Sequence, residues 1–139
     1  MMKFRVLKNH WVGFALCAGL VAAPLAAHAD AASEVSTAAQ HAGFSAAATS
    51  LKVAHMHLHH TLNCLVGPGG HGFDSKQANP CSSQGNGAIP DTADAAAKKS
   101  LEHIASRTRS ALRSTSLATV TKDAGEIQTE LGKVGSPAS

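Results

Sequence analysis

Between positions 31 and 66 the larger apolar residues recur at intervals of seven, four and three. Phe44, Leu51, Leu58, Leu62 and Leu65 form one stripe, as expected of a helix that buries one face. Proline is absent from this stretch and glycine occurs only at Gly43, so the pattern predicts one helix over about 31–66. Gly67-Pro68-Gly69-Gly70 ends it, because proline cannot continue the hydrogen-bond ladder. Residues 67–90, heavy in Gly, Pro, Asn and Ser, predict a loop. Pro90-Asp91-Thr92 offers a start for a second helix over about 92–114, with Leu101, Ile104, Thr108, Ala111 and Leu112 as its apolar positions. The segment STSLATVT at 114–121 interrupts the pattern. Leu117, Val120, Ala124, Ile127 and Leu131 resume it in a shifted register. A kink or break near 114–122 follows, then a third helical piece over about 120–133, with Gly135-Ser136-Pro137 as a frayed tail. The expected fold class is all-α, a helical hairpin or small bundle with a Gly/Pro-rich loop between the first and second helices.

The front of the chain has a different pattern. Lys3, Arg5 and Lys8 precede the apolar run WVGFALCAGLVAAPL, and Ala27-His28-Ala29 follows it. A basic start, an apolar middle and a small-x-small end make a secretory signal peptide over 1–29, cleaved after Ala29. The apolar run falls short of the ~20 residues of a spanning helix, and Pro24 interrupts it. Cys17 is a poor lipid-attachment site, since Leu16 precedes it where a small residue is wanted. The expected location is periplasmic or secreted, with no transmembrane segment after cleavage.

Export changes the charge and the redox setting. The formal net charge of the chain is +3, but three of its twelve basic residues lie in the leader and none of its nine acidic ones does. The exported part, 30–139, is formally neutral and is one domain's worth of chain. Its charge gives no case for a nucleic-acid partner. Lys98, Lys99, Arg107, Arg109 and Arg113 fall at spacings that suit the wet face of a helix. Phe44 and Phe73 are the only aromatics beyond the leader, so the core is thin and wants a staple. Cys64 and Cys81 are the only cysteines left. In an oxidising compartment they pair and close the loop.

The densest chemistry is HMHLHH at 55–60, four imidazoles in six residues. As a strand it would put His55, His57 and His59 on one face, but the alanines and leucines around it keep helical spacing. On a helix His55 stacks with His59 at i, i+4, while His57 and His60 pair at i, i+3 on another side, with Cys64 a turn below His60. In a continuous helix His41 falls on the His55/His59 side, about four turns earlier. The cysteine staple is expected to bring His71 and Asp74 toward the His57/His60 face.

Paired imidazoles suit a borderline divalent metal, and Met56 adds a soft thioether. The expected metal set is His55, His59, His57, His60, Met56, His41 and His71, with copper first, then zinc or nickel. No Asp or Glu occurs between Glu34 and Asp74, which argues against calcium and magnesium. No Glu follows the first histidine of an i, i+4 pair, so the zinc-protease pattern fails. The absence of CxxCH excludes c-type haem by the usual motif, although two histidines could still hold b-type haem. Phosphate-loop and nucleophile-elbow motifs are absent. No catalytic residue is assigned, and an enzyme is the least favoured reading. The alternative function is a structural or interaction module, dimeric or pH-responsive, that docks a partner through its loop or histidine face.

The stretch HMHLHHTLNCLVGPGGHGFD, with the later NPC and GNGAIPD, looks like a compact signature of exported bacterial proteins. The chain resembles the small periplasmic metal-binding proteins that are His-rich helical hairpins. The likeness covers size, leader and the histidines at 41–60. It departs in having a disulfide loop and no histidine repeat along both helices. The resemblance implies metal binding.

Overall fold

The computed structural model describes residues 30–135. The expected leader at 1–29 and the end of the tail at 136–139 lie outside them. Among the described residues the chain is all-helical: α1 is Ala31–Ala46, α2 Leu51–Val66, α3 Ala88–Asp91, α4 Ala95–Ala111 and α5 Leu117–Val134. No described helix is long and apolar enough to cross a membrane.

The long helix expected over 31–66 is two helices. Alanine-rich sequence at 46–48 favours helix, yet Ser50 leaves it with φ −140° and ψ 147°, and its side chain accepts the Val53 N–H at 3.3 Å. A serine in that position satisfies one of the orphan donors of a new helix. The chain reverses over residues 47–50. The cross-links between α1 and α2 show the antiparallel register: Ser45 Oγ donates to the Ala54 carbonyl at 2.9 Å, and Thr61 Oγ1 to the Ala38 carbonyl at 3.2 Å. Ala38, Ala42 and Ser45 on α1 and Ala54 and Thr61 on α2 are all fully buried, and their small size allows a close helix approach. The same antiparallel pairing sets His41 opposite His57.

α1 packs against α5 as well as α2, and α5 packs in turn on α4. Leu58, Leu62, Leu65, Leu101, Ile104, Val120, Ile127 and Leu131 fill the interior. Of the expected first stripe, Leu58, Leu62 and Leu65 are buried, Leu51 is half-buried and Phe44 is exposed. The break expected near 114–122 comes at residues 112–116, with Ser116 capping α5. Arg107 lies between Glu126 and Glu130 of α5, which gives one of the expected wet-face cations a role in joining two helices.

The loop after α2 is closed by the Cys64–Cys81 disulfide. Asn63, fully buried, organises its interior. Its Nδ2 donates to the carbonyls of Asp74 at 3.0 Å and Ala78 at 3.1 Å, and its Oδ1 accepts the Asp74 N–H at 2.9 Å. Two glycines let the loop's return pass against the end of α2. A Cβ on Gly67, whose φ is +66°, would lie 1.5 Å from the Asn86 carbonyl oxygen, and one on Gly87, φ +116°, would lie 2.5 Å from the Gly67 nitrogen. Glu34 of α1 reaches into this end of the molecule. Its side chain is fully buried, and Oε1 accepts the Gly87 N–H at 2.8 Å.

Candidate metal centre

The chain reversal at 47–50 decides which histidines meet. His41 comes from α1, and His57 and His60 from one face of α2. Their Nδ1 atoms converge, with His41 to His57 at 3.2 Å and His41 to His60 at 3.4 Å. The ring centroids lie 5.0–5.6 Å apart. All three side chains are half-buried, and one ligand atom from each lies within 4.8 Å of the others. No other described set of three His, Cys, Asp or Glu side chains meets that spacing.

The surroundings of all three rings favour the neutral form over the charged one. Burial and the neighbouring His60 and His57 push the His41 imidazole down to about 4. Burial lowers His57, while burial together with His57 and His59 lowers His60. Neutral imidazole is the metal-binding form. In a neutral ring one nitrogen carries the proton and the other a lone pair, so each of the three can offer a lone pair to an ion once its proton sits on Nε2.

The separations bear on which ion fits. With metal–nitrogen bonds of ~2.0–2.1 Å, a tetrahedral pair of nitrogens lies ~3.3–3.4 Å apart and a right-angled pair ~2.9 Å. The two separations from His41, 3.2 and 3.4 Å, lie closer to the tetrahedral than to the right-angled value.

The expected pairing of faces is revised by this geometry. In a continuous helix His41 would side with His55 and His59, but the reversal turns it onto His57 and His60. Asp74 comes to His59 instead of the His57/His60 face, with Nδ1 and Oδ2 3.6 Å apart. Burial lowers His59, Asp74 opposes that and His55 adds to it. The enclosed Nε2 of His55 and Nδ1 of His59 make no hydrogen bond. Met56 is exposed on α2. His71 is exposed in the loop, where its carbonyl accepts from Arg109 at 3.3 Å. Cys64 and Cys81 are joined to each other and so are not available as thiolate ligands.

The sequence stripe predicts a core position for Phe44. It instead flanks the trio, 5.5 Å from His41 and 5.3 Å from His57 between ring centroids. The signal that separates these two roles is Thr49-Ser50, a capping pair just before the apolar periodicity restarts at Leu51. Once the helix is broken there, Phe44 and His41 belong to a different element from Leu58.

Comparison with known proteins finds no matching family model, no matching curated protein and no matching solved structure.

Proposed function

We propose that this protein is an exported binder of a tetrahedral transition-metal ion, zinc first, held by Nδ1 of His41, His57 and His60. The single observation that carries the reading is the convergence of three imidazole nitrogens from two helices, with His41 Nδ1 3.2 and 3.4 Å from those of His57 and His60. Tetrahedral spacing suits Zn²⁺ and Cu⁺ better than tetragonal Cu²⁺. Among those two, an all-imidazole set with no thiolate suits zinc. The copper-first expectation rests on imidazoles paired at helical spacing and on the Met56 thioether, without the contacts of His41.

Three ligands also speak to the kind of binding. Structural zinc sites are closed by four protein ligands, whereas a three-ligand set leaves one position exchangeable. The disulfide already closes the loop, so the fold has a staple other than metal. With no carboxylate base in the close ligand group, we read the open position as serving carriage or buffering, with metal taken up and released. The export half of the reading is supported by the leader pattern at 1–29 and is consistent with the disulfide.

Native mass spectrometry tests it. After incubation with zinc, the oxidised protein is expected to carry one ion per chain, and its melting temperature should rise with free zinc by mass action. No mass increment with zinc, copper or nickel would overturn the proposal.

A further inference from the structure

Three neutral imidazoles leave a divalent ion's charge uncompensated. The close ligand group contains no carboxylate and no thiolate, and the sequence has no acidic residue from 35 to 73. An anion from outside the chain would fill the fourth position and offset part of the ion's charge. The large hydrophobic side chains most exposed among the described residues are Phe44 at 46%, Val53 at 40% and Met56 at 37%, and all three lie on the α1–α2 pair that carries the histidines. Phe44 and Val53 line a shallow cleft with Ala47, Ala48, Thr49 and His57. His57 thus belongs both to the metal trio and to the cleft wall. Apart from His57, Thr49 is the only polar side chain there, so the cleft offers little to a sugar or a nucleotide. Apolar surface gathered beside a charged centre fits a ligand with an anionic head and an apolar body.

We infer that the fourth position of the ion receives a small organic carboxylate whose apolar part lies against Phe44 and Val53. The inference rests on the metal-binding reading above.

Cobalt(II) in place of zinc gives a visible spectrum that reports its coordination, and it separates the two claims. Benzoate and acetate serve as probes, differing in the ring that the cleft would cover. Both should perturb the cobalt bands, with benzoate effective at about a tenfold lower concentration, the ratio expected when a modest apolar area leaves water. Phe44→Ser should remove most of that preference, and Val53→Ser part of it. Since both residues are exposed, these variants keep the core intact. Cobalt bands that neither anion moves would overturn the inference and leave the metal reading standing. Equal potency of the two anions would exclude the cleft. A metal-loaded dimer in light scattering that Phe44→Ser dissociates would mean that a second copy covers the patch, and would also overturn the inference. No cobalt bands at all would count against the metal reading itself.

Discussion

Glu34 and His41 sit two turns apart on α1 and are shifted in opposite senses. Glu34 is enclosed, with Oε2 unpartnered. Burial, followed by the neighbouring Asp91 and Asp30, raises its carboxyl above the ordinary value, although the Gly87 N–H pulls the other way. An acid whose folded value is raised contributes stability below its unfolded value near 4.5, and loses it as the pH rises through the folded value. His41 is lowered to about 4, so it favours the fold above 6.5, and that preference is lost as the pH falls toward 4. His57, His59 and His60 are lowered in the same sense, so chelator-treated protein is expected to lose stability as the pH falls below 6.5. Glu34→Gln keeps the shape of the side chain and carries no charge. It should raise the melting temperature at pH 8 and change it little at pH 4. His41→Gln should flatten the decline between pH 6.5 and 4. A variant Glu34→Gln that is less stable than wild type at pH 8 would show that the buried group is held as a carboxylate.

Helix boundaries decided which parts of the site could be read in advance. The 3.6-residue period placed Leu58, Leu62, Leu65, Leu101, Ile104, Val120, Ile127 and Leu131 on buried faces, because burial follows local spacing. It also paired His57 with His60, which needs only one helix. The partner of that pair is a tertiary fact, set by one reversal that a single serine caps inside alanine-rich sequence of high helix propensity. Helical propensity runs through 46–48 and the hydrophobic period continues from Phe44 to Leu51, so only the short Thr49-Ser50 cap marks the break. Ser50→Ala removes the cap of α2 and should cost about 1 kcal/mol, measured by chemical denaturation. Asn63→Ala should cost more, about 2–3 kcal/mol, since the Asp74 and Ala78 backbone groups then lose a buried partner. Equal effects from the two variants would contradict the loop-organising role of Asn63.

At the scale of the whole molecule, cysteine count and compartment made the disulfide legible, and it lies as expected between Cys64 and Cys81. The all-α class was legible too. The acid pair was not, because Glu34 and Asp91 are far apart in sequence and meet only when the closed loop returns to α1. Reducing the disulfide should lower stability by about 3 kcal/mol in the chain-entropy model for a loop of this length. The histidines are on α1 and α2, outside the closed loop, so reduced protein that remains folded should still bind zinc. Loss of zinc binding on reduction without unfolding would tie the loop to the metal site.

The most direct measurement is calorimetric zinc titration of single-histidine variants. His41, His57 and His60 form one set, so His41→Ala should abolish binding as fully as His57→Ala or His60→Ala, whereas His55→Ala and His103→Ala should bind like wild type. The His41 variant is decisive, because only the chain reversal gives that residue a place beside the α2 histidines. Undiminished zinc binding by His41→Ala, with loss on His55→Ala or His59→Ala, would contradict the proposed centre and move the metal to the other face of α2.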